Sequence, residues 1–150
     1  MSTQGGAPEA EVTIRAARAT DSAALARLII ALGYKVVEAD MQQRIAALQQ
    51  AGLPPLVADL GGETIGCLTL SLMTVLHRPR LVGRISMLVV DERLRSRGIG
   101  GALVAAAEAW LRDRGCGLVE VTSNVRRTRA HAFYEGLGYE RTSLRFAKAL

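Results

Sequence analysis

The sequence predicts an α/β (α+β) fold, a mixed sheet flanked by helices. Three observations carry this. A β-branched run ends at Asp91 and hands over to a helix opened by Gly98, Gly100 and Gly101. Gly61-Gly62 joins two apolar runs as a tight turn, the mark of a hairpin. Strand-like and helix-like periodicities then follow one another in the order βααβββαβαβ, with no internal repeat.

Taken along the chain, residues 1–10 are small and polar and read as a flexible tail, which leaves 11–150 as one domain. The tail has neither the basic nor the apolar region of a secretory signal. Val12 and Ile14 alternate inward within a first strand, Glu11 to Arg15. Thr20 or Asp21 can cap the next helix, whose Leu25, Leu28, Ile29 and Leu32 share one face until Gly33 ends it. A second helix, near Asp40 to Ala51, turns Met41, Ile45 and Leu48 inward. The connection between them, Tyr34 to Ala39, carries aromatic and charged groups on a loop and is a candidate for substrate contact. Leu56–Leu60 and Thr64–Met73 make the hairpin, and a loop from Thr74 to Arg80 leads into the strand Leu81–Val90. In the glycine-led helix Ile99, Leu103, Ala106 and Trp110 align; Arg112 and Arg114 suit its negative end, and Gly115 stops it. Leu118–Thr122 is the next strand, Thr128–Gly136 the last helix, and Tyr139–Lys148 a closing strand.

Composition narrows the function. The 49% apolar and 22% charged fractions describe a globular chain. No apolar run approaches the roughly 20 residues of a membrane span. The net charge of +5 could suit nucleic acid, but aromatic residues for base stacking are scarce and no basic run exceeds Arg126-Arg127. The arginines gather after strands, at Arg93–Arg97 and Arg126–Arg129, which suits a compact polyanion. Cys67 and Cys116 have no ligand-like spacing and read as free buried thiols of a cytoplasmic protein; no metal site is expected.

The start of the glycine-led helix is where chemistry is written. Its first N–H groups lack intrahelical partners, glycines let a ligand come close, and the helix dipole adds positive charge, so phosphate or pyrophosphate fits there. A P-loop is excluded because Gly101-Ala102 stands where Lys-Ser/Thr is required. A dinucleotide fingerprint is excluded because Leu103 stands where the third glycine belongs. What the chain does contain is Arg95-Ser96-Arg97-Gly98-Ile99-Gly100, followed by Asn124 and by Arg129-Ala130-His131-Ala132-Phe133-Tyr134-Glu135-Gly136-Leu137-Gly138-Tyr139.

These two motifs, in this order, resemble those of the GCN5-related N-acetyltransferase (GNAT) superfamily, and the likeness extends from Val12 to the carboxyl terminus. The resemblance implies a mostly antiparallel central sheet in which two parallel strands, here Leu81–Val90 and Leu118–Thr122, splay to form a slot for acetyl-CoA. It implies that Leu88, Val89 and Val90 offer main-chain groups to the pantetheine arm. Arg95, Ser96, Arg97, Gly98, Ile99, Gly100 and Gly101 would hold the pyrophosphate, with Asn124 bonded to the arm and the Tyr134 hydroxyl near the thioester sulfur. Tyr134 is then the expected catalytic acid, and the acceptor a primary amine of a small molecule. A peptide or protein amine, and a non-catalytic acetyl-CoA-binding module, are the alternatives.

The strand leading to the pyrophosphate loop carries no carboxylate, where many family members place a glutamate base. Glu120, His77, Glu38 and Asp40 are the side chains available, and ordered water is the expected relay. Glu38 and Asp40 favour a cationic amine. The short stretch after Tyr139 leaves room for a partner chain at the sheet edge, so a homodimer is expected. Neither nucleic acid nor membrane is expected as a partner.

Overall fold

The computed structural model describes residues 11–150, so the tail assigned to residues 1–10 lies outside the described residues. Five strands form one sheet in chain order: β1 (Val12–Ala16), β2 (Leu56–Leu60), β3 (Glu63–Met73), β4 (Leu81–Val90) and β5 (Cys116–Val121). The pairs β1–β2, β2–β3 and β3–β4 are antiparallel, and β4–β5 is parallel. Four helices flank the sheet: α1 (Ser22–Ala31), α2 (Glu38–Gln50), α3 (Ile99–Asp113) and α4 (Thr128–Gly136). Among the described residues no helix is long and apolar enough to cross a membrane.

The two faces of the sheet bury separate clusters. On one, Leu68, Ile85, Leu103 and Leu111 lie at the centre, with α3 laid across the strands and Phe133, Tyr134 and Tyr139 packed at its margin. On the other, Leu25, Leu28 and Ile45 of α1 and α2 meet Val57, Cys67 and Val89. Leu103 and Leu111 are fully buried. Truncating such a leucine to alanine typically costs about 2–5 kcal/mol, so α3 is pinned from both ends of its inner face.

A bulge in β4 decides which cluster each residue joins. Thr69 pairs with Met87 and Leu70 with Ile85, which leaves Ser86 as an extra residue on β4. Ile85, Met87 and Val89 would otherwise share a face. Instead Ile85 packs under α3, whereas Met87 and Val89 pack under α1 and α2.

Three expectations need correction. The closing strand Tyr139–Lys148 does not form: 140–150 is exposed and unpaired, and the sheet has five strands rather than six. Leu144 and Phe146 give the stretch strand-like alternation, but a strand also needs a partner backbone. Tyr139 is instead drawn onto α3, where its hydroxyl donates to Glu108 at 2.9 Å, and Arg141 turns back to Glu135. Nor does Asp21 cap α1 with its side chain. Its carboxylate points inward, taking two bonds from Arg15 (2.8 and 2.9 Å), one from the Arg18 N–H (2.7 Å) and one from the Thr64 hydroxyl (2.7 Å). A buried carboxylate with four donors outweighs a single cap bond. Strand β5 also starts earlier than expected, at Cys116.

Candidate active site

Pairing between β4 and β5 runs from Leu81↔Cys116 to Ile85↔Val121 and stops there. Beyond the bulge, β4 keeps β3 on one side, with Leu88 opposite Leu68 and Val90 opposite Gly66. Its other edge has no strand partner among the described residues. Alternate main-chain groups of Leu88, Val89 and Val90 therefore face a gap in which an extended ligand could lie like an added strand.

The chain then turns through Asp91, whose Oδ1 accepts the Arg93 N–H at 3.0 Å, and through a short 3-10 turn at Glu92–Leu94. Ser96 (φ 67°) and Gly98 (φ 76°) are both left-handed, and α3 begins at Ile99. A serine held in that conformation costs roughly 1 kcal/mol or more, and such turns aim successive N–H groups into one concavity. Ala102 donates to the Gly98 carbonyl at 3.0 Å, so the N–H groups of Ile99, Gly100 and Gly101 precede the intrahelical ladder. Together with the helix dipole they suit an anion.

The nearby arginines are not equivalent, although the sequence pattern presents them as a set. Arg93 is spent on Asp91 (2.7 Å) and Glu63 (3.0 Å). Arg95 lies 3.5 Å from Glu92 in an exposed pair. Arg97 enters no ion pair among the described residues.

Gly100 is where the separate motifs meet. A Cβ there would lie 3.2 Å from the Phe133 ring and 3.9 Å from Val90 Cγ2. The end of β4, the start of α3 and the side of α4 thus converge on a position where a side chain would press on the Phe133 ring. Tyr134 follows Phe133, with ring centroids 5.1 Å apart and edge-on packing; Tyr139 meets it edge-on from the other side at 5.8 Å. Burial raises the Tyr134 hydroxyl above its usual range, and the nearby Arg127 opposes this. Tyr134 therefore keeps its proton at neutral pH and can donate it. Tyr139 and its anchor Glu108 were missed by sequence reasoning, which placed Tyr139 in a strand.

Asn124 shapes the loop between β5 and α4. Its Oδ1 accepts the Arg126 N–H at 2.9 Å, and its carbonyl accepts from Arg127 N–H and contacts His131 Nε2, each at 2.9 Å. The side-chain NH₂ is left to point elsewhere. Arg127 also donates to the Leu32 carbonyl at 3.1 Å, tying this loop to the end of α1.

A cleft of about 410 Å³ opens between α1, α2 and the sheet. Tyr34, Lys35 and Val36 line it, so the connection between α1 and α2 does reach a cavity. Thr69 and Ser86 lie on the sheet side with their hydroxyls 2.8 Å apart, and Ser86 is the bulge residue at which the open edge of β4 begins. Arg44 also lines the cleft, a residue sequence reasoning passed over because charge usually marks the solvent face. Its spacing from Met41, Ile45 and Leu48 was the available signal.

The candidate bases fare differently. Glu120 is taken by Arg84, with Nε–Oε1 at 2.8 Å. His77 is exposed on its loop. Glu38 and Asp40 do not line the main cleft; Asp40 borders an adjoining depression that shares Tyr34, Lys35 and Val36 with it. Cys67 lies beneath the cleft with its thiol pushed up to about 12, chiefly by burial and secondarily by Asp21, so it is no nucleophile at neutral pH.

The sheet is thus mixed, it parts between its two parallel strands, and a glycine-led helix starts at the parting. The sequence profile of the acetyltransferase (GNAT) family matches residues 24–139, and the chain belongs to that family. An aminoalkylphosphonate N-acetyltransferase of Salmonella typhimurium is 39% identical over 89 residues, which span 59% of this chain and 58% of that protein. An aminoglycoside N(6')-acetyltransferase type 1 of Stenotrophomonas maltophilia is 32% identical over 138 residues, 87% of each chain. Among solved structures, an aminoglycoside N-acetyltransferase in complex with CoA superposes with TM-score 0.83 at 20% identity, covering 100% of this chain and 99% of that one. At that identity the superposition speaks to the fold.

Proposed function

We propose that the protein moves the acetyl group of acetyl-CoA to a primary amine of a small molecule, by direct attack within a ternary complex. The observation that carries this reading is the convergence at Gly100 of the end of β4, the N–H groups that open α3 and the Phe133–Tyr134 pair of α4. The missing Cβ of Gly100 makes room for the Phe133 ring, and the open space around Gly101 fits a pyrophosphate held close to backbone. Acetyl-CoA, when bound, supplies the acyl thioester.

In this reading the main chain of Arg95 to Gly101 holds the pyrophosphate, with Arg97 adding charge. The β4 edge from Leu88 to Val90 holds the pantetheine arm, and the Asn124 NH₂ meets that arm from the end of β5. The Val90 N–H polarises the thioester carbonyl, an oxyanion-type role. Tyr134 donates its proton to the departing sulfur. A lysine-like amine is only roughly one part in a few thousand neutral at pH 7, so the acceptor must lose a proton on arrival. With Glu120 paired to Arg84, that proton leaves through ordered water at the Thr69–Ser86 hydroxyls. Relatives that acetylate an aminoalkylphosphonate and an aminoglycoside support a small-molecule acceptor.

The test is acetyl-CoA binding by calorimetry followed by thiol release across a panel of small amines and peptides. Binding with turnover of small amines is expected. No binding, or turnover of peptides alone, overturns the proposal.

A further inference from the structure

We infer that the cleft between α1, α2 and the sheet selects an amine that also carries an oxyanion, with Lys35 and Arg44 as the residues that read the negative group. This rests on the acetyl-transfer reading above and names the class of acceptor.

The two related enzymes act on amines of opposite character. An aminoalkylphosphonate is small and bears an anion, whereas an aminoglycoside is a polycation. The cleft is built for the first. Its charged lining residues are Lys35 and Arg44, and no carboxylate lines it. Arg44 is exposed on α2 beside the buried Met41 and Ile45, and it lines the cleft with them. Lys35 comes from the connection between the helices. Among the described residues neither cation enters an ion pair; by contrast Arg15, Arg84, Arg93 and Arg141 each have a carboxylate partner. Asp40 shares the adjoining depression with Lys35 but forms no ion pair with it, so a bound oxyanion would supply the counter-charge that the two cations of the cleft lack. A polycation would meet the same field as a penalty.

Polarity within the cleft gives the orientation. Its body is apolar, its sheet end carries the Thr69 and Ser86 hydroxyls, and Ser86 opens onto the free edge of β4. An acceptor placing its anion at Lys35 and Arg44 directs its amine toward those hydroxyls and the thioester. Phosphonate, phosphate and carboxylate share this chemistry, and a short alkyl chain between anion and amine matches the apolar middle.

The experiment has two arms. In the first, 2-aminoethylphosphonate, its carboxylate counterpart β-alanine, propylamine and an aminoglycoside are titrated calorimetrically onto protein saturated with CoA, so that the helix start is already filled. Wild type should bind one or both oxyanion amines at least tenfold more tightly than propylamine or the aminoglycoside; which of the two binds better distinguishes phosphonate from carboxylate. In the second arm, thiol release is followed with the same amines for Lys35→Met, Arg44→Gln and Arg44→Glu. The kcat/KM ratio of the preferred oxyanion amine to propylamine should fall tenfold or more for each, through KM. Arg44→Glu should move preference toward the aminoglycoside. Circular dichroism and CoA affinity report whether each variant is folded. Equal or tighter binding of the aminoglycoside by wild type, or ratios unmoved in folded variants, overturns the inference. Selective binding without turnover of any amine supports the charge assignment and overturns the acetyl-transfer reading instead.

Discussion

Asp21 offers a test of how the fold holds the acceptor cleft in place. Its carboxylate is buried just before α1, the helix that supplies Leu25 and Ile29 to the cleft. Arg15 first, with help from the Arg18 N–H and Thr64, brings its pKa down to about 2 from an ordinary 3.8. Because the folded value lies below the unfolded one, the stabilisation is present in full above the ordinary value and is lost as pH falls through the folded one. The difference corresponds to about 2 kcal/mol at pH 7, with roughly half of it gone by pH 3. Asp21→Asn keeps the shape and can still accept from Thr64, but it cannot carry the charge that pairs with Arg15. At pH 7 it should melt about 5–8 °C below wild type, by the entropy scale of a chain this long. Repeating the melts from pH 7 to pH 3 should show the gap closing, because wild type loses in acid what the variant never had. A gap that stays constant over that range would refute the assignment of a strongly depressed carboxyl.

Four further outcomes follow from the site. Tyr134→Phe should lower kcat about a hundredfold, the usual scale for a lost general acid, with CoA affinity within twofold; unchanged kcat removes the assigned acid. Since burial raises the Tyr134 pKa, wild-type kcat should show no alkaline fall below about pH 10, the ordinary tyrosine value, and a descending limb near pH 8 would contradict it. Gly100→Ala sets a methyl 3.2 Å from the Phe133 ring, which must then give way, and should weaken CoA binding in calorimetry; wild-type affinity would show that the loop tolerates a side chain. The buried thiol of Cys67 should resist iodoacetamide at pH 7.5 in the folded protein and react on unfolding, as mass spectrometry would report; rapid native labelling contradicts its burial. Strand β5 has one open edge among the described residues, and the exposed stretch 140–150 carries Leu144 and Phe146. We propose that these bring two copies together, and a monomer mass by light scattering at working concentration overturns that.

Much of this was legible because it is local. β-branched residues before Asp91, glycines after Arg97 and an aromatic pair before Gly138 declare a strand, a helix start and a helix end within a few residues of each other. What the sequence concealed depends on partners distant in the chain. Ser86 sits in an apolar run where an alternating strand would put it anyway, so nothing local reveals an extra residue facing Thr69–Leu70. Asp21 stands where a helix cap belongs, and only Arg15 and Thr64 explain its turn inward. Tyr139 to Lys148 has the composition of a strand, but composition cannot supply an adjacent edge. Arg44 carries the charge of a surface residue and is exposed, and only the folded cleft shows that it also lines a cavity.

The bulge at Ser86 has a consequence for how this strand can change. Upstream of it, odd-numbered residues of β4 serve α3; downstream, they serve α1 and α2. Ser86 acts as a reading-frame shift in the sheet, and the edge left free for a ligand begins where the frame changes. Were Ser86 to take a regular place in the ladder, Met87 and Val89 would turn under α3 and Leu88 and Val90 would be driven against α1 and α2, so both clusters would fail together. Deleting residue 86 does the opposite: Met87 then follows Ile85 directly, opposite Thr69, and every residue downstream keeps its face. Removal therefore costs the bulge and the hydroxyl beside Thr69, and is a question of the acceptor and the open edge, whereas an added residue is a question of whether the molecule folds.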